Sequence, residues 1–329
     1  MPMRTHPTLP ERDNAAAALP RRPRRGLLSE LALRPSLYLM VLPGVLFFLI
    51  FNYLPMVGLG IAFVDYSPIA PFFGLGSRFV GLENFRFFFT SNEWIRVTLN
   101  TFYLNALFIS SGLIAQMLLA VGLSETRLQG LKRVSQTLMF LPNFISWTVV
   151  SVFSIALFST KEGLINKLLL MFGGKAVNFY QTASVWPGLL VALRLWKGAG
   201  FGTVIYLSTI AGISHEVYEA ATIDGASRMG RVRYVTLPLL KTTTAILLIM
   251  SIGGIFSGDF GMIYALIGDN PMLRTTTDVI DTYVYRALRL NNDYGMSAAV
   301  GLFQSIMGFV FVVCANAVAK KLDPDSALF

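Results

Sequence analysis

Six long stretches nearly free of charge dominate the chain: about Ser36–Val64, Trp94–Leu123, Ser135–Phe158, Val185–Ile213, Leu237–Ile267 and Tyr294–Ala319. Each reaches the roughly 20 apolar residues with which a helix crosses the ~30 Å hydrocarbon core of a bilayer. Lipid offers no partner for a backbone N–H or C=O, so segments of this kind become helices. Pro43, Pro55, Pro142 and Pro187 lie within or at the ends of these stretches. In a bundle such prolines are tolerated, because neighbouring helices satisfy the freed carbonyls. Hydrophobic residues make up 54% of the chain and charged residues 14%, with mean hydropathy +0.60; a soluble domain carries about 25% charge. The sequence therefore predicts an all-α integral membrane protein with six transmembrane helices and excludes a soluble globule. A lone cysteine, Cys314, forbids an internal disulfide framework. With only His6 and His215 beside it, no metal site is expected.

The net charge of +9 is distributed unevenly. The N-terminal tail, the second and fourth connections and the C-terminal end hold sixteen Lys and Arg, against eight in the other connections. The positive-inside rule then places both termini in the cytoplasm. The run Arg21-Arg22-Pro23-Arg24-Arg25 reads as a membrane-surface anchor beside the first span rather than a nucleic-acid contact, since nothing else in the chain reads bases. The first apolar stretch is too long for a signal-peptide core, and no small-residue cleavage site follows it. Three parts are expected: a basic cytoplasmic leader (1–35), a six-span domain (36–320) with a cytoplasmic loop at about 213–238, and a cytoplasmic tail (321–329). On the outward side, the aromatics of Phe79–Phe89 suit a short helix at the membrane interface, read as a collar without ligand contact.

The cytoplasmic loop between spans four and five is the most specific stretch. Glu219 to Asp224 reads as helix, with carboxylates near its start where the helix dipole favours them. Gly225 can adopt a left-handed conformation and end that turn. A second short helix follows until Pro238 opens span five. This knuckle resembles the EAA loop of ABC importer permeases, EAAxxDGA followed by LP about a dozen residues later. Glu219, Ala220, Ala221, Asp224, Gly225, Ala226, Leu237 and Pro238 match it in register. Phe79-Val80-Gly81-Leu82-Glu83-Asn84-Phe85 is similar to the FxGLxNF segment of carbohydrate permeases. Thr277–Arg286 is similar to an outward loop of the polysaccharide- and oligosaccharide-importing branch. Val232 stands where the family usually has an aromatic residue.

The resemblance implies a mechanism. The knuckle would sit in a cleft of a cytoplasmic ATPase subunit and pass the closure of the ATPase dimer to the membrane helices. Glu219 would pair with a basic ATPase residue, Gly225 would form the bend, and Ala220, Ala221 and Ala226 would permit close packing. The chain has no Walker A sequence, so ATP and Mg would be bound by two partner ATPase subunits and the chain itself would not be an enzyme. One such loop calls for a second homologous permease subunit. An extracytoplasmic binding protein would deliver an oligosaccharide, and the setting would be the bacterial inner membrane.

Ionisable groups inside spans cost about 2.5–3.5 kcal/mol each on insertion scales, so they are candidates for function. Arg194 and Lys197 lie three residues apart on one helix face, with Trp196 and Phe201 as aromatic surface and glycines 198, 200 and 202 permitting close approach or a helix break. In span five, Ser257 and Asp259 are candidates to bond sugar hydroxyls, with tight helix packing through the small residues around them as the equal alternative. In the resembling transporters the helices flanking the EAA loop contact the sugar. Two cations favour an acidic saccharide, alginate-like, because guanidinium matches carboxylate. An ion pair with Asp259, or snorkelling to an interface, remains open for the same side chains. An ion-coupled secondary transporter would show carboxylate relays and inverted repeats; a polysaccharide-handling membrane enzyme would show convergent acids. The sequence shows neither.

Overall fold

The computed structural model describes residues 35–67, 69 and 77–322, so nearly all of the basic leader and most of the C-terminal tail lie outside the described residues. The described residues up to Val57 form a unit of their own. In it α1 (Pro35–Phe48) runs through Pro43 and continues as a wide π turn, Leu49–Tyr53. The helical run as a whole, Pro35–Phe63, has 29 residues and is long and apolar enough to cross a membrane.

The second unit holds everything from Gly58 onward. A two-residue antiparallel pairing of β1 (Val64–Asp65) with β2 (Arg78–Phe79) precedes α2 (Glu83–Thr90). Then come α3 (Trp94–Ser124), α4 (Gln129–Phe140), α5 (Trp147–Phe158), α6 (Leu164–Met171) and α7 (Trp186–Ala211). The knuckle is α8 (His215–Ile223) and α9 (Arg228–Arg231). It is followed by α10 (Lys241–Ile252), α11 (Phe260–Ile267), α12 (Ile280–Leu290) and α13 (Tyr294–Leu322). Among the described residues four helices are uninterrupted candidates for spans, and counting each of two bent pairs as one span brings the number to six.

Two of the six expected spans are bent pairs rather than straight helices. In the third stretch, Gln129–Phe144 and Trp147–Phe158 meet at 99°. Pro142 has no N–H to continue a helix, and Ser146 starts a new one, its hydroxyl accepting the Val149 N–H at 3.3 Å. In the fifth, Pro238 does not open the span: the helix bends by 49° at Leu240, between Arg228–Leu239 and Lys241–Ile252. Beyond Ile252 the backbone leaves the helix until α11 begins at Phe260. Glycines 253, 254 and 258 make that segment a poor helix. Side chains satisfy its backbone: Asn105 of α3 donates to the Ser257 carbonyl at 3.2 Å, Gln304 of α13 to the Phe256 carbonyl at 2.6 Å, and Asp281 of α12 accepts the Gly258 N–H. Irregular backbone at membrane depth persists only when protein supplies such partners.

The aromatic outward segment packs inward through Phe88, while Phe79, Leu82 and Phe89 stand exposed, as a collar would. Phe88 is fully buried, its ring 5.6 Å from Tyr283 and 6.2 Å from Phe303. Asn84, from the FxGLxNF-like segment, donates to the carbonyls of Ala62 and Val64, both at 3.0 Å. Nearby, the buried Asp278 carboxylate takes both terminal nitrogens of Arg286, at 2.7 and 2.5 Å, and the Thr282 hydroxyl at 2.7 Å. Asn100 of α3 donates to the Asp278 carbonyl at 3.1 Å, which fastens the start of α12 to α3. The same loop that fixes α12 thus also presents Asp281 to the break.

Candidate transport cavity and coupling surface

The corner at Ser146 and the break after Ile252 leave an open cavity of about 590 Å³ between α3, α5, α7 and the broken segment. From α7 it takes Arg194, Lys197 and Phe201, and from the break Ser257, Gly258 and Asp259. Five of the six expected path residues therefore meet around one space. Trp196 is 49% exposed and lies outside the lining. The glycines of α7 do not break the helix. They allow close approach: a β-carbon at Gly200 would overlap the Met139 carbonyl, and one at Gly202 the Gln116 carboxamide.

Arg194 Nη1 bonds Asp259 Oδ2 at 2.8 Å, with the two side chains 38% and 31% exposed. Its guanidinium also lies 4.8 Å from the centre of the Phe108 ring. Asp259 does double duty, because its Oδ1 accepts the Met262 N–H at 3.1 Å and caps α11. The ion pair left open by the sequence is thus present. Lys197 differs: its Nζ donates to the Asn143 carbonyl at 2.9 Å and sits 5.4 Å from the Trp147 ring centre. Among the described residues no carboxylate pairs with Lys197, so one positive charge on the wall is left without a counter-charge.

Sequence reasoning missed the wall that faces these cations. Asn105, Ser111 and Gln116 of α3 and Asn143 of the corner all line the cavity. A signal existed: Asn105, Phe108, Gly112 and Gln116 follow a helical stripe of three- and four-residue steps within an apolar span.

The knuckle folds from local rules. Helix α8 begins at His215, earlier than expected. The Ser214 hydroxyl accepts the Glu216 N–H at 3.3 Å, so the first-turn acid is Glu216. Glu219 sits mid-helix and meets His215 Nδ1 at 2.9 Å. Gly225 has φ +80°, and the Ala226 N–H reaches back to the Ala221 carbonyl at 2.9 Å, closing the helix as a glycine C-cap does. Ser227 caps α9 through the Gly230 N–H at 3.1 Å. Two bonds then tie the knuckle together: Arg231 to the Thr222 hydroxyl at 3.0 Å, and the Tyr218 and Thr236 hydroxyls at 3.1 Å. A third, from Arg228 to the Glu125 carbonyl at 2.9 Å, joins it to the end of α3. That last link joins residues 103 positions apart and had no local signal. Asp224 and Ala220 lie on the exposed surface with Ile223, while Ala221 and Ala226 are half-buried.

Residues 112–326, which hold both the knuckle and the α7 wall of the cavity, match the family described as binding-protein-dependent transport system inner membrane component. The chain belongs to this family. Among its relatives, the protein LplB of Bacillus subtilis (strain 168) is 38% identical over 289 residues, 88% of this chain and 90% of that one. The polygalacturonan/rhamnogalacturonan transport system permease protein YteP of the same organism is 38% identical over 303 residues, 92% and 93% of the two chains. In the crystal structure of a bacterial ABC transporter involved in the import of the acidic polysaccharide alginate, one chain superposes with TM-score 0.82 at 32% identity, covering 90% of this chain and 99% of that one. A second crystal structure, of a bacterial alginate ABC transporter with its alginate pentasaccharide-bound periplasmic protein, gives TM-score 0.81 at 32% identity, with 90% and 98% covered. This inner-membrane component is therefore a permease subunit of an ABC transporter, with the fold of that importer class.

Proposed function

We propose that the chain is one of two permease subunits of an ABC importer for acidic oligosaccharides, and that the cavity is the passage. The observation that carries the acidic preference is Lys197, a cation on the wall whose charge no described carboxylate offsets, next to an Arg194 already matched by Asp259. Sugars bind through polar groups set beside flat apolar faces. Trp147 and Phe201 supply the faces, and Asn105, Gln116 and Ser257 the polar groups. The volume, about 590 Å³, falls in the range of ligand sites, roughly 300–1,000 Å³, so a few sugar rings would occupy it at a time. Relatives named for polygalacturonan and for alginate, both polyuronates, support the same reading.

In this reading a binding protein delivers substrate at the outer face. Two cytoplasmic ATPase subunits, carrying ATP and Mg, grip the knuckles of the two permeases. Glu219, Ala220, Ala221, Asp224, Gly225 and Ala226 form the contact on this chain. The positive-inside count puts both termini, and the knuckle, in the cytoplasm. ATPase closure is felt at α8 and passes through α9 and the Leu240 bend into α10, whose far end carries the cavity wall at Ser251.

The test is sugar-stimulated ATP hydrolysis by the reconstituted complex with its binding protein, comparing uronate and neutral oligosaccharides of equal length. Stimulation by uronates that falls in Lys197→Gln while the complex stays assembled is the expected result. Equal stimulation by neutral sugars, unchanged in Lys197→Gln and Arg194→Gln, would overturn the acidic assignment.

A further inference from the structure

A second hollow lies on the other side of α10 and is nearly devoid of polar lining. Its walls are α10 (Ala245, Leu248, Ile249, Ile252) and the antiparallel end of α13, where Phe311, Cys314, Ala315 and Ala319 face it; its volume is about 550 Å³. Small residues create the space, since alanines at 245, 315 and 319 leave a trough where larger side chains would close the helices together. One end is marked by charge: Lys241 lines it, and Lys320 and Lys321 directly follow Ala319 on α13. Among the described residues no carboxylate pairs with any of the three.

We propose that this trough binds an anionic phospholipid of the cytoplasmic leaflet, with the acyl chain between α10 and α13 and the headgroup on Lys241, Lys320 and Lys321. Length decides the occupant. From Lys241 to Ile252 the helix rises about 16 Å at 1.5 Å per residue, close to half of the ~30 Å hydrocarbon thickness. A spanning helix of another protein needs an apolar track about twice as long, whereas one acyl chain fills one leaflet. The charge sits where a headgroup would be, and basic clusters between helices on the cytoplasmic side select anionic lipids. The trough also has a position of consequence. It backs α10, whose Ser251, on the other side, lines the transport cavity, so a bound lipid stiffens the helix that joins the knuckle to the passage.

The chain's single cysteine, Cys314, is exposed in the trough and serves as a reporter. The purified transporter complex would be titrated with phosphatidylglycerol or phosphatidylcholine and followed by native mass spectrometry, alongside the rate of Cys314 alkylation. The wild type is expected to retain phosphatidylglycerol about tenfold better than phosphatidylcholine, a difference of roughly 1.4 kcal/mol. Phosphatidylglycerol should also slow the alkylation. Lys241→Gln combined with Lys320→Gln and Lys321→Gln should abolish the preference, and Ala315→Phe should weaken retention of both lipids. An unchanged preference in the triple variant would overturn the proposal. So would a Cys314 that is shielded whatever the lipid, the result expected if a protein neighbour covers the trough.

Discussion

Around the cavity, polar side chains bond from one helix to another: Asn105 holds the Ser257 carbonyl, Arg194 holds Asp259, and Lys197 holds the Asn143 carbonyl. In the knuckle they bond mostly close by, as Ser214 and Ser227 cap their own helices and His215 meets Glu219 one turn on. The apolar residues divide the other way. Trp186 and Leu190 of α7 are buried in a core cluster with Phe108, whereas Ile223, Met229 and Tyr234 of the knuckle stand 86%, 73% and 73% exposed. An exposed apolar cluster on a short element without a core of its own marks an interaction site. The cavity walls are tied together by bonds within this chain, whereas the knuckle leaves its apolar side chains exposed, as an interaction surface would.

If that contrast is right, substitutions at the cavity should cost stability first, and substitutions at the knuckle should cost coupling with little loss of stability. The largest stability effect is expected for Gly200→Val. The new side chain meets the Met139 backbone carbonyl, which cannot swing aside, and overpacking of this kind costs about 3 kcal/mol at the upper end of its usual range. Thermal unfolding of the purified complex measures it. Asp259→Ala comes next, at about 2 kcal/mol, because it removes a helix cap worth ~1 kcal/mol and a partly exposed ion pair worth up to ~1 kcal/mol. Asp259→Asn should recover the cap's share, since the amide oxygen still accepts the Met262 N–H.

A smaller effect should appear as a pH slope. Burial pushes the Asp281 carboxyl above its usual range. The Gly258 N–H and Gln304 amide pull it partly back, and the nearby Asp259 adds to the rise. A raised carboxyl stabilises the fold when protonated, and that contribution is lost as pH climbs through the raised value. The melting temperature of the wild type should therefore gain on mild acidification relative to Asp281→Asn, whose oxygen keeps both bonds at every pH. Identical slopes in the two proteins would contradict the account of the break. Smallest in stability is Glu219→Gln, within about 0.5 kcal/mol for an exposed helix pair. Here stimulated ATP hydrolysis should fall severalfold without a change in melting temperature. A matching drop in both would place Glu219 with the cavity residues and dissolve the contrast.

The sequence revealed what local chemistry decides. The positions of the apolar stretches, the left-handed Gly225 and the meeting of Arg194 with Asp259 were all readable, the last as one of three alternatives. Hydropathy averaged the breaks away: Ile252–Phe260 is as apolar as a helix, and its glycines become a kink only because Asn105, Gln304 and Asp281 arrive from distant segments to bond its backbone. The same reason hid the α3 wall, since Asn105 and Gln116 look like isolated polar residues until the opposing cations are placed beside them. Phe88 read as a surface aromatic because a helix of eight residues carries no record of α13 packing over it.

The central claim is that the charge of Lys197 selects acidic sugars for passage. Its most direct test is uptake into proteoliposomes of a uronate oligosaccharide and a neutral one of equal length, supplied together with a binding protein that delivers both. The account predicts that Lys197→Gln lowers the ratio of uronate to neutral uptake by about tenfold, the effect of roughly 1.4 kcal/mol lost in the transport path, and that Lys197→Arg restores most of it. A ratio that stays the same in Lys197→Gln, with total transport intact, would contradict it.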